Sequence, residues 1–249
     1  MRKIFALLGA TALTLAAPAF AGDKPGKVKN VVLVHGAWAD GSGWRGVYDI
    51  LRKDGYTVTV VANPDTGVAE DAAATKRVLD RQDGPAILVG HSYGGVVITQ
   101  AGGHPNVAGL VYITAFAPDI GENAFQFLPT GGPAPFTVTD GHAFLIRDVF
   151  LHAFAPDVPL ADREFMADSQ VPIALAAGGT PVTAAAWKTK PSWYLVAADD
   201  QIIPPSVQQM FAKRMKATTL AAPGSHVSFV VHPEAAAKMI EDAAQAASK

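Results

Sequence analysis

The stretch Ile87-Leu88-Val89-Gly90-His91-Ser92-Tyr93-Gly94-Gly95-Val96-Val97 leaves this chain the least freedom. It predicts a buried strand, a turn built as Gly-x-Ser-x-Gly, and a helix opening on Gly95. A serine on so sharp a strand-to-helix turn is held in a strained backbone, and its neighbours must be small for the chains to pass. Its hydroxyl then stands clear of the sheet. The helix N-terminus and the Tyr93 N–H offer positive potential to a developing oxyanion. Ser92 therefore reads as a nucleophile.

The flanking sequence fits that turn. Val28 to Val34 is a continuous β-branched run, the pattern of a strand covered on both faces. Further strands are predicted over 57–62, 85–89, 107–114, 191–197 and 217–221. Helices are predicted near 44–53, over 70–82 and 94–102, from Pro204 to about Met215, and from Pro233 to Ala247. Strands alternating with helices imply right-handed crossovers and an α/β architecture with a mostly parallel, doubly wound sheet. From Ala117 to about Lys190 that rhythm breaks. Prolines and short apolar helical pieces predict a cap inserted at about 118–190. Asp199 and Asp200 fall just beyond a strand's carboxyl end, where open α/β sheets place their sites.

Composition narrows the partners. The chain is 49% hydrophobic and 17% charged, with a formal charge of −2 and no basic cluster, so no nucleic-acid partner is expected. There are no cysteines, which excludes disulfides, a thiol nucleophile and thiolate metal sites. His142 and His152 lack partners at metal-ligand spacing, and neither metal nor cofactor is expected. Met1-Arg2-Lys3, an apolar run over Ile4 to Ala17, and Ala19-Phe20-Ala21 form a signal-peptide pattern. Residues 1–21 are expected to be removed, leaving one domain over 22–249 in a periplasmic or secreted protein with no stable membrane anchor. A homodimer is left open.

Four separated signals occur in a fixed order: Val31-Val32-Leu33-Val34-His35-Gly36-Ala37-Trp38, the serine turn, Ala198-Asp199-Asp200-Gln201-Ile202-Ile203-Pro204-Pro205, and Ser225-His226-Val227. In these the chain resembles the α/β-hydrolase superfamily, and more narrowly small esterases related to plant methylesterases and hydroxynitrile lyases. The resemblance covers nearly all of the chain after the leader. It implies a triad of Ser92, Asp200 and His226, with the Ala37 N–H as second oxyanion donor beside that of Tyr93. It also implies that His35 is structural. The superfamily's spacing after a small residue, here Ala197, selects Asp200 over Asp199, while some relatives place the acid where Asp119 stands.

The implied activity is hydrolysis of a small or medium apolar ester through an acyl-enzyme. Lyases of this branch carry Thr in place of Gly36 and Lys in place of Val227, so both departures favour the esterase. An acyltransferase or perhydrolase would share every residue named, and a small-ligand binding protein of this fold can keep the triad. Trp38, Phe125, Phe150, Phe154 and Trp187 are candidates to line an apolar pocket; the alternative is that they pack the cap onto the body.

Overall fold

The computed structural model describes residues 27–129 and 132–248; the predicted leader lies outside them. Nine strands occur among the described residues: β1 (Asn30–Val34), β2 (Thr57–Val61), β3 (Ala86–His91), β4 (Val107–Ile113), β5 (Phe136–Thr139), β6 (His142–Leu145), β7 (Ile173–Ala174), β8 (Ser192–Ala197) and β9 (Thr218–Ala222). Six of them form one sheet in the order β2-β1-β3-β4-β8-β9, with every neighbouring pair parallel. The β-branched runs occupy its centre: β1 and β3 are buried along their whole length, whereas β9 at the edge is largely exposed. Helices Arg45–Lys53 and Glu234–Ala246 pack together on one face, and Val68–Asp80 and Gly94–Ala101 on the other. Leu33, Leu51, Leu79 and Ile87 are fully buried between these layers. Each contributes about 1.5–3 kcal/mol, which matters in a chain that has no cross-links.

This topology decides where chemistry can sit. From β1 the chain passes to β2 on one side and then back to β3 on the other. Strand order reverses between β1 and β3, so a crevice opens at their carboxyl ends. Val34 pairs with Gly90 across that gap, which brings the loop after β1 beside the serine turn.

The cap contains the expected helical pieces, over 147–154 and Leu160–Asp168, and adds strands beyond that expectation. These helical segments lie between β6 and β7, and strands β5, β6 and β7 form an antiparallel sheet of their own. Its hairpin turns on Asp140 and Gly141, whose φ values are 48° and 71°. An Asp-Gly pair supplies the two positive φ angles that a tight hairpin needs. The predicted helix over 70–82 also shifts, starting at Val68 and ending at Asp80.

Two carboxylates lie fully buried under the loop between β2 and the Val68–Asp80 helix. Asp71 Oδ1 accepts the Asp65 N–H at 2.8 Å, and Asp65 Oδ1 accepts Asn63 Nδ2–H at 2.6 Å. Burial, and then the neighbouring Asp71, push Asp65 up to about 8. Unfolded, the same group titrates near 4. The folded state's preference for the proton is therefore fully present below about pH 4 and is lost as pH rises to about 8. Asp65→Asn removes this titration, and Asn tolerates the φ of 54° at that position. Between pH 5 and 8 the wild type should lose stability relative to Asp65→Asn, by at most about 1.4 kcal/mol per pH unit. Above pH 8 the difference should level off. Denaturant melts at each pH measure it, and parallel curves would contradict the burial argument.

Candidate active site

Ser92 follows the last residue of β3 and has a φ of 52°, a left-handed conformation that a non-glycine residue seldom holds without support. Two hydrogen bonds support it. The Ser92 carbonyl accepts the Gly95 N–H at 2.9 Å and the Phe116 N–H at 3.1 Å. Close approach explains the small neighbours: a Cβ on Gly94 would meet the carbonyl oxygens of Val34 and His35, each at 2.6 Å. On the loop after β1, a Cβ on Gly36 would stand 2.7 Å from that of Ser92. That loop must therefore be glycine for Ala37 to come beside the serine.

Three side chains from distant parts of the chain meet here. The Ser92 Oγ lies 2.9 Å from His226 Nε2, and His226 Nδ1 lies 2.8 Å from Asp200 Oδ2. All three residues are buried. An ionised carboxylate can only accept, so Nδ1 carries the ring proton and donates it to Asp200. Nε2 is then left with a lone pair for the Ser92 hydroxyl. The Asp200 carboxylate accepts three further donors. Oδ1 takes the N–H groups of Ile202 and Ile203 at 2.8 and 3.0 Å, and Oδ2 takes Gln208 Nε2–H at 2.8 Å. Gln208 is itself fixed, donating to the Ile203 carbonyl and accepting from the Ala197 N–H.

The backbone of His226 is held from below. His91 Nε2–H and Thr114 Oγ1–H both donate to its carbonyl, each at 3.0 Å. His91 is fully buried, and desolvation, followed by the proximity of His226, drives its pKa well below the usual histidine range. It stays a neutral donor. His35 is lowered as well, chiefly by burial, and its Nδ1 faces the Gly36 carbonyl at 3.0 Å. Asp199 turns away from the imidazole, its Oδ2 accepting the Gly224 N–H at 3.0 Å. Asp119 is paired with Lys188 at 2.6 Å, outside this chain of bonds.

Ala37 and Tyr93 line a narrow apolar cavity over Ser92, together with Trp38, Phe116, Phe125, Leu128, Ile173 and Ile202. Among the described residues neither the Ala37 N–H nor the Tyr93 N–H is bonded to a protein acceptor. Of the five aromatic candidates, Trp38 and Phe125 line this cavity and the other three do not. Phe154 is buried with its ring 5.1 Å from that of His226, and Phe150 packs behind it at 4.6 Å. Trp187 lies elsewhere. Its indole N–H donates to the Pro118 carbonyl, and Arg214 and Lys188 stack over its ring. An indole so bonded packs the cap's stem onto the body rather than facing a ligand.

Gln208, His91, Thr114 and Asp157 were not singled out from the sequence, and each braces a loop of this site. Asp157, in the cap, accepts the Ser225 N–H at 2.6 Å, next to His226. A glutamine inside a helix and an aspartate between prolines carry no local mark of such a role. His91 alone was visible, as the residue before the serine.

A model of the alpha/beta hydrolase family matches residues 31–239. A pyrethroid hydrolase of Sphingobium wenxiniae is 30% identical to this chain, the match covering 88% of this chain and 89% of that protein. The crystal structure of a pyrethroid hydrolase from Sphingobium faniae superposes with a TM-score of 0.73 at 25% identity, covering 88% of this chain and 98% of the other. A methylesterase from Arabidopsis shares the fold, with a TM-score of 0.72 at 18% identity over 88% of this chain and 99% of that one. The chain belongs to the alpha/beta hydrolase family, among its carboxylesterase-type hydrolases.

Proposed function

We propose that this protein is an exported, cofactor-free serine ester hydrolase that acts on small or medium apolar esters through an acyl-enzyme. The observation that carries this reading is the unbroken bond chain from Ser92 through His226 to Asp200, at 2.9 and 2.8 Å, under an apolar cover. In the proposed reaction Ser92 Oγ attacks the ester carbonyl while His226 Nε2 takes its proton. The negative charge that develops on the carbonyl oxygen is met by the N–H groups of Ala37 and Tyr93. Asp200 stabilises the imidazolium. The C–O bond to the alcohol then breaks, and the alcohol leaves with the proton from His226. Water, deprotonated by the same nitrogen, attacks the acyl-Ser92 carbonyl; the bond to Ser92 Oγ breaks, that oxygen takes the proton back from His226, and the acid is released.

The apolar lining supports an apolar ester, and the pyrethroid hydrolase relatives support a carboxylic ester as the bond cleaved. The cavity over Ser92 has about 20 Å³ free, room for roughly one water. A neighbouring cavity of about 200 Å³ shares Trp38, Leu128 and Ile202 with it, which supports small to medium groups. Cyanohydrin cleavage is disfavoured, because Val227 is buried and supplies no cation for a departing cyanide.

The test is a panel of p-nitrophenyl esters from acetyl to decanoyl, followed from the first turnover. A burst of p-nitrophenol equal to the enzyme concentration, with kcat/KM highest among the small to medium acyl groups, is expected. No burst with any ester would remove the acyl-enzyme, and a maximum at decanoyl would remove the small-to-medium reading.

A further inference from the structure

Tyr93 offers its backbone N–H to the site, while its side chain points into a second buried network. Its hydroxyl donates to Asp71 Oδ2 at 2.7 Å, and both residues are almost wholly buried. The other Asp71 oxygen is held by the Asp65 N–H. The Asp65 carbonyl in turn accepts the Ala174 N–H of β7 at 2.9 Å, so the network reaches the cap strand that contributes Ile173 to the cavity. Among the described residues, no Lys, Arg or His forms an ion pair with Asp65 or Asp71.

Two buried acids with no cation are a costly way to hold a helix to a turn. Burial pushes the Asp71 carboxyl up, although the Tyr93 hydroxyl partly restores its charge. Arrangements of this kind weigh on stability and gain geometric definition. The geometry at stake is that of the Ser92–Tyr93 peptide, which carries the oxyanion-facing N–H and follows the strained φ of 52° at Ser92. Left to relax, that peptide would rotate. An anchor at the far end of the Tyr93 ring resists the rotation.

We propose that Asp71 is a positioning residue for the ester chemistry: by gripping the Tyr93 hydroxyl it fixes the peptide N–H that receives the oxyanion. This rests on the ester-hydrolase reading above. Misplacing a catalytic dipole by a fraction of an ångström costs turnover without costing ground-state binding.

The experiment measures the acylation rate with p-nitrophenyl acetate on active-site-counted enzyme, for wild type, Tyr93→Phe, Asp71→Asn, Asp71→Leu and the Tyr93→Phe/Asp71→Leu pair. Tyr93→Phe keeps the backbone N–H and loses only the grip. Its acylation rate should fall about tenfold to a hundredfold with KM within about twofold. In Asp71→Asn the amide oxygen stays on the Asp65 N–H and the NH2 donates to the Tyr93 hydroxyl, so the grip is kept with its direction reversed. Its rate should stay within about threefold, while Asp71→Leu should match Tyr93→Phe. The double variant should be no slower than the slower single, because both remove one interaction. Full acylation rates in folded Tyr93→Phe, or additive losses in the pair, would overturn the proposal and leave a purely structural bond. Should Tyr93→Phe fail to fold, Asp71→Asn against Asp71→Leu decides: equal rates in the two overturn the proposal. A wild type without a burst would instead fail the hydrolase reading itself.

Discussion

Ser92→Ala is expected to lower ester turnover by about a millionfold and to leave the protein folded. The two halves of that expectation have separate grounds. In the proposed reaction Ser92 Oγ supplies the attacking atom, and its partner His226 Nε2 would have nothing to deprotonate once the oxygen is gone. Water held by the remaining N–H groups could still react slowly, which is why about 10³–10⁴ of acceleration over water survives in such variants. The fold should survive because alanine keeps the Cβ that already sits against Gly36 and adds no strain at φ 52°. The one loss is a buried imidazole nitrogen left unbonded, about 1–3 kcal/mol, against a typical total of roughly 5–15 kcal/mol. A burst assay beside a thermal melt reads both. A folded Ser92→Ala protein with near wild-type activity would mean that the ester is cleaved by some other group.

The serine turn and the strands around it were legible because their signals are local. β-branched runs and glycines at fixed offsets report on backbone that must be buried or must turn within a few residues. The resemblance then carried Asp200 and His226, which are 26 residues apart in sequence and 2.8 Å apart in space. The cap was read less well. Asp140-Gly141 is a hairpin signal, yet it follows a stretch broken by Pro129, Pro133 and Pro135 in which no strand is expected. The helical pieces expected around Phe150, Phe154, Leu160 and Phe165 come only after it. The aromatic residues show the harder limit. Trp38 and Trp187 are alike in sequence, but one lines the cavity and the other donates its N–H to Pro118 at the cap's stem. Only packing separates them. Gln208 is harder still, since nothing short of the fold puts its amide against Asp200.

The cap is bonded to the loops that carry Ala37 and His226 and to the network behind Tyr93. Trp38 Nε1–H, next to Ala37, donates to the Ala143 carbonyl of β6. The Ser225 N–H, next to His226, donates to Asp157. The Asp65 carbonyl, behind Tyr93, takes the Ala174 N–H of β7. Each bond joins backbone or a ring to a cap residue more than 60 positions away. An insertion bonded this way does more than cover the serine. It bears on the positions of Ala37 and His226 directly and of Tyr93 through Asp65 and Asp71, so on the proposed mechanism cap variants should change turnover as well as substrate choice.

Asp200→Asn is expected to cost about 10⁴ in turnover, while Asp199→Asn and Asp119→Asn stay within about tenfold. The difference lies in what each carboxylate accepts. Oδ1 of Asp200 faces two immovable backbone donors, the N–H groups of Ile202 and Ile203, so the amide oxygen of an asparagine must settle there. Its NH2 then takes the place of Oδ2, facing His226 Nδ1 and the Gln208 amide. Gln208 cannot easily reverse, because its own oxygen accepts the Ala197 N–H and its nitrogen donates to the Ile203 carbonyl. The asparagine therefore donates to Nδ1, the ring proton moves to Nε2, and the nitrogen facing Ser92 becomes a donor that cannot accept the serine's proton. The shape of the site is kept and its chemistry stops. Asp199 and Asp119 make no such contact, one being bonded to the Gly224 N–H and the other paired with Lys188. Steady-state kinetics on the three folded variants separate these roles, and a crippled Asp119→Asn beside an active Asp200→Asn would move the orienting acid to the end of β4.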